Sequence, residues 1–153
     1  MMLTQIIGMK DLGLLQDRDS TMDDFGIRKM IVAVTGSKKI YGIDSKSGNI
    51  VWQTMYNGAF IVSRLTGKAV PYLFVQRSSH HFGHDPICTI IYKNPYLNLP
   101  EVMTFNPITG RVQRVQTLSQ PLKQALMLHH EGEDHVRPIL LLGTDKHQLI
   151  PDS

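Results

Sequence analysis

The sequence predicts an all-β protein, and three observations indicate this class. The apolar runs are short, turn residues such as Gly, Pro, Asn and Asp separate them, and helical periodicity is nearly absent beyond the N-terminus. About ten such runs follow one another from residue 30 onward. They cover residues 30–35, 40–44, 49–55, 72–77, 88–93, 102–106, 111–117, 122–128, 139–143 and 147–150.

Only the N-terminal part has a helical pattern. Apolar residues fall roughly on one face of a helix over residues 3–16, although two glycines within it would each weaken it by roughly 1 kcal/mol. The polar segment that follows predicts a loop. We therefore expect a short N-terminal helix and a polar loop in residues 1–28, and β-strands in residues 29–153.

Residues 41–52 and 103–114 share one repeated pattern. In each, a strand ends at Asp44 or Pro107, a Ser or Thr followed by Gly forms the turn, and a second strand follows. An Asp or Asn side chain can accept hydrogen bonds from the turn backbone, and glycine can adopt a positive φ. Two unrelated hairpins are the alternative, but strand patterns precede and follow each copy in the same order. A hairpin of this kind that ends in Trp52 is typical of the blades of quinoprotein-type β-propellers, in which the Trp packs between neighbouring blades.

Grouped in fours, the predicted strands give one complete blade over residues 72–117. Three strands of a preceding blade lie before it, and three strands of a following blade lie after it. The prediction is therefore a partial β-propeller with quinoprotein-like blades. Because propellers close on themselves with typically 4–8 blades, we expect a piece of a larger protein whose open sheet edges favour self-association.

Composition and charge exclude several classes of protein. The chain has 153 residues, with 16 Lys and Arg against 13 Asp and Glu. No long basic run occurs, so dedicated nucleic-acid binding is not expected. A single cysteine, Cys88, excludes an internal disulfide framework and a CxxC-based zinc or redox site. No apolar run approaches the ~20 residues of a membrane span, and the N-terminus lacks the pattern of a signal peptide.

Two histidine-rich segments are candidates for a metal site. His80, His81 and His84 could bind zinc, but Gly83 and Pro86 favour a loop, and we interpret the histidines as structural or surface residues.

The second segment, residues 129–135, resembles the His-Glu-x-x-His helix of metalloproteases. Asp134 occupies the position of the second ligand, and Gly132 disfavours a helix. A polar hairpin loop is therefore the better interpretation.

The sequence gives no catalytic, cofactor-binding or metal-binding residues. Cys88 lies in an apolar strand pattern, where a buried thiol is usually inert. No Gly-x-Ser-x-Gly, P-loop or dinucleotide-binding motif occurs. Tyr41, Trp52, Tyr72 and Phe105 are interpreted as residues that pack the core and the contacts between blades. We therefore expect no enzyme activity and no cofactor.

Five motifs occur in a distinctive order, in residues 29–35, 41–52, 75–84, 104–110 and 140–145. The most specific stretch is Val-Gln-Arg-x-x-x-His-Phe-x-His, followed by Cys88 and then by Phe-Asn-Pro-x-x-Gly. Its residues are Val75, Gln76, Arg77, His81, Phe82, His84, Phe105, Asn106, Pro107 and Gly110. From about Asp24 to Ile150, this order resembles the family of subunit 1 of the endoplasmic reticulum membrane protein complex.

The resemblance implies an internal stretch of a large single-pass membrane protein whose lumenal part consists of β-propellers. It implies a complex that inserts and chaperones tail-anchored and multi-pass membrane proteins. Other subunits of that complex would be the partners, and membrane-protein clients are further candidates. The chain lacks the signal sequence, most of the blades and the transmembrane helix of the family, so we expect a scaffold role on the lumenal side.

A fragment of a quinone-dependent propeller dehydrogenase is the alternative function. Such an enzyme needs calcium-binding and cofactor-binding side chains on its innermost strands. The corresponding candidates in this sequence are mainly apolar.

Overall fold

The computed structural model describes residues 4–6, 30–62, 66–70, 72–78 and 84–151, and every regular element among them is a β-strand. The strands are β1 (Thr4–Ile6), β2 (Met30–Thr35), β3 (Lys39–Asp44), β4 (Ile50–Met55), β5 (Ile61–Val62), β6 (Ala69–Val70), β7 (Tyr72–Arg77), β8 (Ile87–Asn94), β9 (Leu99–Phe105), β10 (Val112–Thr117), β11 (Leu122–Met127), β12 (Ile139–Gly143) and β13 (His147–Ile150). Strands β1–β4 form the first sheet, β7–β10 the second and β11–β13 the third, while β5 and β6 form a separate hairpin. Consecutive strands are antiparallel neighbours in every sheet.

The all-β class and the partial propeller are confirmed. Strands β2, β7, β12 and β13 begin and end at the predicted residues, and the other predicted strands are displaced at their ends by one to three residues. The hairpin of β5 and β6 was not predicted, because two residues per strand are too few to give a recognisable pattern in the sequence.

The predicted N-terminal helix is wrong at Thr4–Ile6, which form β1. This strand pairs with β2, so that Thr4 lies opposite Thr35 and Ile6 opposite Ala33. Pairing satisfies the backbone groups along the side of β2 that β3 leaves open, whereas the glycines of the predicted helix weaken it. The first sheet therefore has four strands instead of the predicted three. The remainder of the predicted helix and the polar loop lie outside the described residues.

The two repeat hairpins have the same turn. Each turn begins with a residue whose side-chain Oδ1 accepts a hydrogen bond from the backbone N–H two positions later. The distance is 2.9 Å for Asp44 and 2.8 Å for Asn106. The N–H groups of Gly48 and Gly110 donate to the carbonyls of those same residues, both at 2.7 Å. These glycines have φ values of 76° and 77°. The repeat is therefore real, but Asn106 is the equivalent of Asp44, and the predicted equivalence with Pro107 is wrong by one residue.

A third turn, between β8 and β9, uses the same type of side chain. Asn94 Oδ1 accepts hydrogen bonds from the N–H groups of Tyr96 at 2.9 Å and Leu97 at 3.2 Å. Asn98 then adopts a left-handed φ of 58°, which Asn tolerates better than most residues. Short polar side chains thus fix the register of several hairpins.

Two apolar cores lie between the sheets, and the second sheet contributes to both. On β8, Ile90 belongs to the first core and its neighbour Ile91 to the second, because successive strand residues point to opposite faces. The first core, between the first and second sheets, contains Val32, Val34, Ile40, Trp52, Tyr56, Leu73, Val75, Cys88, Ile90, Tyr92, Met103 and Phe105. The second core, between the second and third sheets, contains Ile91, Val102, Leu118, Ala125, Ile139, Leu141 and Ile150.

Asp44→Ala and Asn106→Ala should each lower the free energy of unfolding by about 1 kcal/mol, because each removes the side-chain acceptor of its turn. Urea denaturation at neutral pH measures the loss. Ser45→Ala, an exposed position in the first turn, is the control and should change stability by less than about 0.5 kcal/mol. Equal losses for Ser45→Ala and Asp44→Ala would contradict the assigned role of the turn.

Candidate functional site at the sheet junctions

Trp52 is the centre of the junction between the first and second sheets. It lies on β4 directly opposite Gly42 of β3, and its indole covers the backbone of that glycine. A Cβ atom at position 42 would overlap the indole ring, so only glycine leaves the necessary space. The Trp52 side chain is 9% exposed.

The second sheet holds the same indole through the turn between β9 and β10. Trp52 Nε1 donates a hydrogen bond of 2.8 Å to the carbonyl of Pro107. The ring of Phe105 makes a T-shaped contact with the indole, with 5.8 Å between centroids. Thr54 Oγ1 donates to the carbonyl of Gly110 at 3.0 Å. The predicted packing of Trp52 between neighbouring blades is therefore confirmed.

The residues that directly follow β4 make a second contact between the first and second sheets. The ring of Tyr56 lies 5.2 Å from that of Tyr92, and its hydroxyl donates to the carbonyl of Thr35 at 2.7 Å. Burial raises the pKa of Tyr56 to about 12. Ala59 and Lys93 exchange two backbone hydrogen bonds, of 3.0 and 2.8 Å. The first and second sheets are thus joined by aromatic packing and by the backbone.

A buried carboxylate, Glu101, ties three strands of the second sheet together. It accepts hydrogen bonds from the Tyr92 hydroxyl at 2.6 Å, from Asn94 Nδ2 at 3.0 Å and from Thr117 Oγ1 at 3.2 Å. Burial acts to raise the pKa of Glu101, but these three hydrogen bonds favour the ionised form and hold its pKa below the ordinary value. Burial, the hydrogen bond to Glu101 and the charge of Glu101 all raise the pKa of Tyr92.

Gln76 is the centre of the junction between the second and third sheets. This β7 residue is only 2% exposed. Its Nε2 donates to the carbonyls of Arg137 at 3.1 Å and Ile150 at 3.0 Å, and its Oε1 accepts from the hydroxyl of Thr89. The Arg137 N–H also donates to the Gln76 carbonyl at 2.8 Å. Each polar group of the buried amide therefore has a partner, as a buried amide requires.

Arg77, the next residue, extends this junction into the neighbouring loops. Its Nε donates to the carbonyl of Asp85 at 2.7 Å, and its Nη1 donates to the carbonyl of Asp134 at 3.2 Å. Asp134 belongs to the loop 128–138 between β11 and β12. The Val-Gln-Arg stretch, which the sequence marked as distinctive without a role, therefore connects the second sheet to the third.

The two junctions use different physical interactions. At the positions equivalent to Gly42 and Trp52, the second sheet has Thr104 and Arg114, which lie opposite each other. The arrangement of an aromatic ring on a glycine is therefore absent from the second repeat hairpin. The third sheet is held instead by the apolar second core and by the amide of Gln76.

Three structural roles were not predicted from the sequence: those of Gly42 and Gln76 at the junctions, and that of Glu101 within the second sheet. Gly42 could have been found, because a glycine within a strand often marks a close approach of another group. Gln76 carried the signal of a polar residue inside an apolar run. Glu101 had no comparable signal, since it lies beside the predicted strand, and its partners come from two other strands.

The histidine segments are placed only in part. His80 and His81 lie outside the described residues, and the ring of the half-buried His84 lies 6.0 Å from that of His135. His135 Nδ1 is 3.1 Å from Glu131 Oε2, within the loop that replaces the metalloprotease-like helix. Within the part of the chain that the structure describes, no three His, Cys, Asp or Glu side chains are grouped so that they could hold a metal ion.

The remaining candidates of the sequence analysis lie in or beside the cores. Cys88 and Phe105 are fully buried, and Tyr72 packs against the second core with its ring 6.0 Å from that of Phe74. The packing role of these residues is confirmed, while that of the half-buried Tyr41 stays a prediction. None of the described segments forms a long apolar helix of the kind that crosses a bilayer.

Gly110→Ala should destabilise the chain far more than Gly48→Ala. Both glycines have the same positive φ, which costs an alanine about 1–2 kcal/mol. The space around Gly48 is open, whereas a Cβ at Gly110 would lie 2.5 Å from the Trp52 indole. We expect a total loss of about 3–5 kcal/mol for Gly110→Ala.

Chemical denaturation measures both losses, and Trp52 is the only tryptophan, so its fluorescence reports on this junction directly. Gly110→Ala should shift the emission of the folded state, and Gly48→Ala should leave it unchanged. Equal losses of stability in the two variants would show that the indole does not depend on the glycine surface.

Glu101 should make stability depend on pH in the acidic range. Because the folded state lowers its pKa, its contribution is complete above the unfolded value of about 4.3 and is lost as the pH falls through the folded pKa. Glu101→Gln should cost about 1–3 kcal/mol at pH 7, and its difference from the wild type should shrink as the pH is lowered. Urea denaturation over a series of pH values tests this expectation, with the exposed Glu133→Gln as control. A difference that stays constant with pH would contradict it.

Comparisons with known proteins relate this chain to a family. A family model described as ER membrane protein complex subunit 1, second beta-propeller, matches residues 26–153. The chain is similar to ER membrane protein complex subunit 1 of Xenopus laevis, with 36% identity over 130 residues, which are 84% of this chain and 12% of that relative. It is similar to the protein of the same name from Gallus gallus, with 34% identity over 125 residues, 80% of this chain and 12% of that relative. The chain therefore spans about an eighth of the length of these relatives, and it belongs to the family of ER membrane protein complex subunit 1.

Proposed function

We propose that this chain is a non-catalytic scaffold segment of the endoplasmic reticulum membrane protein complex, on the lumenal side. In this proposal it supports the insertion and folding of tail-anchored and multi-pass membrane proteins by the whole complex. The names of its relatives, which are subunits of an ER membrane protein complex, support membership in a multi-subunit assembly.

The contacts made by residues of the distinctive sequence motifs support this proposal. Trp52, Gln76, Arg77, Pro107 and Gly110 all make contacts between two sheets or between a sheet and a neighbouring loop. These contacts combine buried rings with directional hydrogen bonds, which fix both the distance and the orientation of the sheets. A rigid stack of this kind suits a scaffold, because it holds the loops at its ends in constant positions.

The surroundings of the two buried groups that could react, a carboxylate and a thiol, support a non-catalytic role. The Glu101 carboxylate accepts hydrogen bonds from three side chains of its own sheet. Cys88 is 0% exposed within the first core. Cys88 therefore serves the packing of the core, and Glu101 serves the hydrogen bonding within its sheet.

A chimera tests the proposal in cells. The matching stretch of the Xenopus laevis relative is replaced by this chain, and the chimera is expressed in cells depleted of their own subunit. We expect the chimera to co-purify with the other subunits and to restore insertion of a tail-anchored reporter. Trp52→Ala and Gln76→Ala should reduce both, because each breaks one junction, whereas the exposed Ser45→Ala should not.

Two results would overturn the scaffold function. One is a chimera that fails to assemble although the unmodified relative does. The other is a chimera in which neither Trp52→Ala nor Gln76→Ala reduces assembly or reporter insertion.

A further inference from the structure

An open groove lies at one end of the contact between the second and third sheets. Its volume is about 200 Å³. Three parts of the chain line it: β5, the ends of β8 and β9 with the turn between them, and the start of β11. Its apolar walls are Ile61, Val62, Pro100, Pro121 and Leu122.

Strongly exposed apolar side chains lie in the lining of this groove or in the turn beside it. Val62, which also lines it, is 61% exposed. Tyr96 and Leu97 stand in the same turn as the lining residue Asn98 and are 83% and 56% exposed. The turn that presents them is held by Asn94, so these side chains project from a fixed backbone. Apolar groups grouped around a groove in this way mark a site of association.

The end of the sheets that carries the groove has more positive than negative exposed side chains in its described turns. Because the strands are antiparallel, successive turns alternate between the two ends of each sheet. At the end with the groove, the exposed charged residues among the described residues of the turns and of the hairpin of β5 and β6 are Lys38, Lys68, Asp145 and Lys146. By the same criterion, the described turns and loops of the opposite end carry Lys46, Asp85, Arg111, Glu131, Glu133 and Asp134.

The groove itself contains two polar side chains, Lys93 and Asn98, and both residues are exposed. Glu131 and His135 contact each other in the loop 128–138, at the opposite end. Lys93 presents a positive charge in the lining of the groove, beside its apolar walls. A carboxylate is the group that complements such an ammonium, and the amide of Asn98 can donate a hydrogen bond to the same group.

We propose that this groove binds an extended segment of a partner protein in which apolar side chains stand next to carboxylates. The apolar side chains would occupy the groove between Val62 and Leu122, and a carboxylate would pair with Lys93. This proposal names a partner site for the scaffold function and rests on that function. Its test uses the purified chain, so it can fail while the chimera succeeds.

The test is a titration of the isotopically labelled full chain, followed by NMR, with a capped synthetic peptide that contains two leucines followed by two aspartates. We expect saturable shifts of the amide signals of Ile61, Val62, Lys93 and Asn98. Lys93→Glu should weaken binding at least about tenfold, because it replaces attraction by repulsion. Lys46→Glu, an exposed lysine at the opposite end, is the matched control and should bind as the wild type does. Leu97→Ser tests the contribution of the apolar rim and should weaken binding as well.

Three outcomes would overturn the proposal. The first is the absence of saturable shifts, and the second is equal binding of a peptide with lysines in place of the aspartates. The third is binding of the chain to vesicles of phosphatidylcholine and phosphatidylserine, lost in Lys93→Glu, without binding of the peptide. That result would identify the same surface as a membrane contact.

Discussion

The indole of Trp52 packs against two glycines, and the arrangement of the first two sheets depends on this contact. Gly42 and Gly110 provide space beside the ring that any other residue would fill. The hydrogen bond from Nε1 to the carbonyl of Pro107 then fixes the orientation of the ring. With the two sheets at this distance, Tyr56 at the end of β4 reaches the second sheet and completes the core between them.

The third sheet is attached in a different way, through the hydrogen bonds of the buried side-chain amide of Gln76. A buried amide without partners costs several kcal/mol, so Gln76 favours the one register in which Thr89, Arg137 and Ile150 all face it. Aromatic packing at the first junction and hydrogen bonding at the second both disfavour sliding of one sheet over the next. Together these two contacts favour one arrangement of the three sheets.

The two ends of the sheets have different chemistry. One end combines lysines with the apolar side chains of Val62, Tyr96 and Leu97 around an open groove. The other carries the acidic and histidine-rich loop 128–138, which Arg77 fastens to the second sheet. The two ends of the described sheets therefore present surfaces of different chemistry.

The sequence alone determined most of the strands, the repeat and the family, because these depend on local patterns: alternation, turn residues and motif order. It also determined that Trp52 packs between blades, since the hairpin motif carries that role. The tertiary structure alone decided the partners across the sheets. Glu101 was invisible because its donors come from two other strands, and β1 replaced a predicted helix because an open strand edge outweighs a weak helical pattern. Contacts between residues far apart in sequence leave no local signal, and the junctions and the groove consist of such contacts.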